Sequence, residues 1–346
     1  MSFSNTFDTT NTGSAVSNRE DLTDVLTILA PEETPVLSSA SKQKASATFA
    51  EWTVDELASP VTAGISEGAD VTAFTDKFSG RARLGNYVQK FRRDYMVSDL
   101  QDAVDSVGPA KIAQAEAKAI RELKRDVEAT LIGNGDASIE NGSSTPYKMR
   151  GLGKWIQTGA QTDSAPATPE NYRPDAGQVF DISSATPTSF QESDLNDIIS
   201  TIYRHTGSTQ NLTLVADTGL RKTISNFARF VGNVGTGADG LNNASLRNVN
   251  YDGNSTTIKL SVEIYESDFG RVSIVNMNPD TAPATIAGGT TFNDGYIVNP
   301  EYYGVHELIP MGSTRLPNLG GGERGYVDCS LTLGVYHPQA HGKITQ

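Results

Sequence analysis

Residues 87–97 alternate with a period of two, placing Tyr87, Gln89, Phe91, Arg93, Tyr95 and Val97 on one face. That is the spacing of a strand with one side wet. The stretch FAEWTVDEL at 49–57 also suits a strand, and 78–98 reads as the returning limb of a hairpin. The tip between them, SPVTAGISEGADVTAFTDK, has no periodicity. A limb of about 15 residues would span about 50 Å, and a two-stranded ribbon alone is marginal in water. Nothing adjacent in sequence offers a layer to cover it, so the expected cover is a second copy of the chain.

A different period follows. Over 109–132, Ile112, Ala119, Ile120, Leu123, Val127 and Leu131 form one helical stripe. Lys118/Glu122 and Lys124/Glu128 are expected as i,i+4 pairs on the wet side. Pro109 suits the first helical position, and Gly133 with Gly135 the far end. Residues 134–188 are rich in Gly, Ser, Thr, Pro and Ala, interrupted only by GLGKWIQT, and read as loops, with a surface insertion expected. From 191 to 310, helical and strand patterns alternate: SDLNDIISTIYRH, NLTLVAD, TGLRKTISNFARF, and a hairpin turned at 267–270. These describe one compact α/β lobe. Near the end, Val327, Cys329, Leu331, Leu333 and Val335 share a strand face that returns to a core.

Composition narrows the function. The 346 residues carry a formal charge of −13, which argues against a free-standing nucleic-acid binder with a basic face. One cysteine, Cys329, rules out an intramolecular disulfide framework. No run of about 18 apolar residues occurs, and the polar first residues lack the features of a signal peptide. Gly235/Gly237/Gly240 and Gly320/Gly322/Gly325 match a dinucleotide spacing, but neither stands between a strand and a helix. His337 and His341 are four apart with Pro338 between them and no acidic or cysteine cluster, so neither metal nor cofactor is expected. No G-x-S-x-G elbow exists, and Cys329 sits on an apolar face, so a hydrolase or nucleotide-binding enzyme is the weakest reading. The remaining candidates are intersubunit contacts. Trp52, Tyr87, Phe91 and Tyr95 are the expected hairpin anchors. Glu67, Asp70 and Asp76 at the tip, opposed to Arg81, Arg83, Arg92 and Arg93, would fix register across subunits.

The order of parts resembles the HK97-like major capsid proteins of tailed bacteriophages. The stretches NREDLTDVLTILAPEETPVLSSA (18–40), EWTVDELASP (51–60), ELKRDVEATLIGNG (122–135) and IYESDFGRVSIV (264–275) carry the resemblance. It implies an α+β fold with an N-terminal arm (1–48), an extended E-loop hairpin (49–99), a peripheral domain (100–190) holding a spine helix at 109–132, an axial α/β domain (191–310), and a C-terminal strand region (311–346). It further implies hexamers and pentamers closing into an icosahedral head around double-stranded DNA, without sequence-specific binding or a membrane. Assembly would occur in the host cytoplasm, with a portal and separate scaffolding or decoration proteins as partners. No cleaved leading segment is expected. An encapsulin-like compartment shell or a tail protein is the alternative.

Overall fold

The computed structural model describes residues 32–104, 111–142, 144–181, 190–207, 211–227, 231–232, 244–245, 248–251, 256–259, 262–283 and 294–345. The first part of the expected N-terminal arm, residues 1–31, and the glycine pattern at 235–240 lie outside them.

The fold is α+β, built on two sheets with a core against each. The first sheet has the order β1-β14-β15-β4: β1 (Ser41–Lys44), β14 (Tyr303–Leu316), β15 (Glu323–Val335) and β4 (Gln89–Val97). Along β15 the first half alternates between buried and half-buried residues, and the second half is buried on both faces. Val327, Cys329, Leu331, Leu333 and Val335 all lie inside, as their spacing requires. β14 runs through the boundary expected at 310, so residues on both sides of it belong to one strand.

The long helix α3 (Lys111–Ile132) packs on β4 and β15 through Ala119, Leu123, Val127 and Leu131. Its end is received by a turn at 151–153, where Gly151 and Gly153 donate backbone hydrogen bonds to Gly135 and Gly133. A methyl group at Gly151 would collide with the Gly133 carbonyl, so this approach needs glycine.

One expectation for α3 fails. Lys118 pairs with Glu122 at 3.9 Å, but Glu128 turns inward instead of meeting Lys124. Its carboxylate accepts the N–H groups of Val36 and Leu37 at 2.9 and 2.8 Å, fastening the first turn of α1 (Pro35–Ser39) to the long helix. With β1 running parallel beside β14, residues 35–44 are therefore part of the body and not a free arm.

The surface insertion expected in the loop-rich stretch is also corrected. Met149, Leu152, Trp155, Ile156 and Tyr172 are buried there, with Leu152 and Trp155 in the short helix α4 (Leu152–Trp155). A fully enclosed Arg150–Asp163 ion pair braces the loops, with the guanidinium over the Trp155 ring at 4.5 Å. Loop backbone is satisfied here by side chains: Asn86 accepts from the Arg150 N–H and donates to the Arg150 and Leu333 carbonyls.

The second sheet has the order β11-β12-β6-β13-β16-β5. Its strands are β5 (Val179–Asp181), β6 (Leu212–Ala216), β11 (Ile264–Ser267), β12 (Gly270–Asn276), β13 (Gly295–Val298) and β16 (Gly342–Thr345). Helices α5 (Glu192–Thr206) and α6 (Thr218–Phe227) cover it with Leu195, Ile198, Ile199, Ile202, Leu220 and Ile224, the amphipathic stripe that the sequence pattern requires. Two short ladders, β7 (Val231–Gly232) with β8 (Ala244–Ser245) and β9 (Asn248–Tyr251) with β10 (Thr256–Lys259), lie outside these two sheets. The small helix α2 (Asp99–Ala103) follows β4 and is capped by Ser98.

Candidate assembly interface

The expected hairpin is real but is divided differently. β2 (Phe49–Val54) pairs antiparallel with β3 (Ala82–Tyr87), in register from Phe49↔Tyr87 to Val54↔Ala82. At Val88 the returning limb changes partner, and β4 pairs with β15 in the body sheet. Residues 82–97 thus have a core of their own. What lacks one is the segment between the two paired strands, residues 55–81, which forms no strand or helix and is exposed almost throughout.

This arm carries large apolar side chains into solvent: Leu57 is 98% exposed, Phe74 91% and Ile65 88%, joined by Val61, Val71 and Phe78. Gly68, at φ 78°, turns the tip, and the Ala69 N–H closes on the Ser66 carbonyl at 3.2 Å. A left-handed residue at a tight turn is where glycine is needed.

The structure places the expected contact residues as follows. Phe91 and Tyr95 are buried in the chain's own core, and the Tyr95 hydroxyl meets Ser313 Oγ at 3.0 Å. Trp52 is half-buried among Trp155, His306 and Tyr336, with ring centroids 5.7 to 6.0 Å away. Tyr87 packs on Phe49 at 4.6 Å and Tyr147 at 5.7 Å. The four expected anchors therefore hold the arm's base to its own body. Arg93 makes a two-pronged bond to Asp126 on α3 at 2.6 and 2.7 Å, and this hydrogen bond raises its pKa further. Arg81 bonds Asp55 at 3.0 Å and lies over the Phe78 ring at 4.4 Å, while Arg83 reaches Glu51 at 3.8 Å. Asp76 accepts the Phe78 N–H at 2.9 Å. Glu67, Asp70 and Arg92 are exposed and form no ion pair among the described residues.

The apolar residues of the arm escaped sequence reasoning because they follow neither period. A usable signal was present: six large apolar side chains between 57 and 78 in a segment without a helix or strand pattern.

The other candidate groups sit in packed surroundings. Burial pushes the Cys329 thiol up to about 12, and the charges of Asp328 and Glu307 push the same way, so it stays protonated and unreactive. Burial drives His341 down to about 4, and the Asn299 N–H donates to its Nδ1 at 3.2 Å. Gly320 and Gly322, at φ 89° and 123°, turn the β14–β15 connection, which explains that glycine pattern without a cofactor. Among the described residues, no group of three or more His, Cys, Asp or Glu side chains is placed to hold a metal ion.

A family model described as SU10 major capsid protein matches residues 4–346. The capsid of cyanophage P-SCSP1u superposes with a TM-score of 0.61 at 12% identity, covering 100% of this chain and 99% of that one. The cyanophage A-1(L) capsid gives 0.61 at 14% identity, covering 97% and 98%. A Mycobacterium phage Adephagia structure gives 0.58 at 13%, covering 98% of each. At such identities the likeness speaks to the fold. No curated protein matches the chain.

Proposed function

The chain belongs to the SU10 major capsid protein family, and from that membership we propose that its exposed arm is the clasp by which one copy grips the next. As a major capsid protein it is a non-enzymatic component of the virion, and its copies assemble into the icosahedral head of a tailed phage.

The observation that carries the clasp is the apolar load of residues 55–81. Burying a side chain such as Leu, Val, Ile or Phe is worth about 1.5–3 kcal/mol. Six of them offer about 9–18 kcal/mol before the costs of association. Exposed ion pairs contribute about 0–1 kcal/mol each. The apolar residues therefore supply the strength of the contact, and Glu67, Asp70 and Asp76 supply its register. Within this reading the arm corresponds to the E-loop, α3 to the spine helix it crosses on a neighbour, the first sheet and α3 to the peripheral domain, and the second sheet to the axial domain. Copies group as hexamers and pentamers, with a portal and separate scaffolding or decoration proteins as partners. The net charge of −13 suits a container that encloses double-stranded DNA without gripping its phosphates.

Deletion of residues 58–77 tests this. The expected product is a folded subunit with an unchanged circular dichroism spectrum that forms no closed shells under electron microscopy. Normal shells from the deleted protein would refute the clasp.

A further inference from the structure

The arm leaves the body at one point, and the side chains gathered there have no role in either core beyond that of Tyr172. The hydrogen bonds of residues 57–79 are local to the arm: Ala69 to Ser66, Phe78 to Asp76, Ser79 to Asp76, and Arg81 to Phe78. The arm is a cantilever. Its two limbs are tied to each other by Asp55 and Arg81, whose Nε donates to Asp55 Oδ2 at 3.1 Å in an ion pair that brings Nη2 to 3.0 Å from the same oxygen. That pair closes the loop but does not aim it.

The aim comes from a turn of the body at 170–173. The Tyr172 hydroxyl donates to the Gly80 carbonyl on the returning limb at 2.7 Å. Asn171 Nδ2 donates to Glu56 Oε1 on the outgoing limb at 3.2 Å. Gly80 lies close against the Glu56 side chain, so the two limbs are gripped side by side. The turn itself is fixed from below. Gln339 Nε2 donates to the Asn171 and Arg173 carbonyls at 2.9 and 3.1 Å, and the buried Tyr172 ring stands edge-on to His337 at 6.0 Å. Beside the grip lies a crevice of about 420 Å³ lined in part by Glu56, Tyr172, Arg204 and His337, so the root has open space on one side. The crevice leaves room for the root to swing towards Arg204 and His205 once the two bonds are lost.

We propose that Tyr172 and Asn171 are positioning residues that set the direction of the arm before it meets a neighbour. The inference rests on reading the arm as the contact between copies. The leverage is large. From the root to the Gly68 tip the chain can extend about 40 Å, so a swing of about 10° at the grip moves the tip about 7 Å. A gap of about 0.5–1 Å already forfeits a quarter to a half of a van der Waals contact. Two hydrogen bonds at the root therefore decide whether six apolar side chains arrive in register.

The test uses the full chain with spin labels at Ala73→Cys on the arm and Asp197→Cys on α5. Cys329, buried and protonated, stays unlabelled. Subunits are held below the concentration at which they assemble, and the label-to-label distance distribution is read by electron–electron double resonance. Tyr172→Phe keeps the ring and loses the hydroxyl; Asn171→Asp sets a carboxylate against Glu56. Each is expected to broaden the distribution at unchanged thermal midpoint and to raise the concentration needed for shell formation, together by about tenfold. Glu56→Gln in the Asn171→Asp background restores a donor–acceptor pair and is expected to narrow the distribution again, which a general loss of packing would not allow. An unchanged distribution in both variants overturns the proposal. A broadened distribution with unchanged assembly overturns it too, but for a different reason: the arm is then not the contact on which it rests.

Discussion

Glu128 shows how far a single residue departs from its sequence neighbourhood. Helical spacing assigns it to solvent beside Lys124, yet it is fully enclosed and bonded to two backbone N–H groups at the start of α1. Desolvation outweighs those bonds and raises its pKa from the ordinary 4.5 to about 6. A carboxyl group raised in the folded state binds protons more tightly there, so its ionised form opposes folding above pH 6. Stability recovers as pH falls through 6, and the recovery is complete below 4.5. The gain is about 2 kcal/mol. His341 has the opposite sign: its stabilisation is full above 6.5 and is lost as pH falls towards 4. The Glu128 contribution must therefore be read as a difference. Urea titrations from pH 7.5 to 4.5 should show wild type gaining about 2 kcal/mol relative to Glu128→Gln, and parallel curves would refute the assignment. At the Arg150–Asp163 pair, burial alone would raise the Asp163 pKa, but the guanidinium holds it below the usual carboxylate range. Asp163→Ala leaves that guanidinium enclosed without its partner and should cost about 3–5 kcal/mol in urea unfolding. An effect near that of a surface substitution would mean the loops are braced otherwise. Neither Glu128 nor Asp163 was legible as a buried charge, because spacing reports which side of a helix is apolar and not which polar group finds a partner inside.

At the scale of elements, periodicity read the faces well and the partners poorly. Phe91 and Tyr95 point inward and Lys90, Arg92 and Asp94 outward, as the period of two requires. At Val88 the limb leaves β2 and joins β15, and the buried set changes phase there, from Leu84, Asn86 and Val88 to Phe91 and Tyr95. A period of two records the face of a strand and not its neighbour, so it names the partner on neither side of that point. This is why the anchors expected between copies turned out to secure the arm's own base, and why the free part of the arm is confined to 55–81. Its exposure has a consequence that proteolysis can read. Lys77 stands exposed at a turn of the arm, outside any helix or strand, so limited trypsin treatment should cut there rapidly in the free subunit and spare it in assembled shells. Equal cutting in both states would show that assembly leaves the arm uncovered.

For the whole molecule, the chain alone determined the fold class, the succession of helix and strand, and the absence of a period where the arm is. These follow from local spacing, because the face a residue presents depends on its near neighbours in sequence. The four quoted stretches were enough to suggest the capsid family, and the family match over 4–346 established it. Tertiary structure decided what depends on residues far apart. β14 joins the first sheet across the expected 310 boundary, residues 35–44 are built into the body, and loop residues such as Trp155 become core. Tyr172 and Asn171, 92 and 115 positions from Gly80 and Glu56, grip the arm. Such contacts are made when loops close over long separations, and the pattern of apolar and polar residues along a chain does not encode which ones meet.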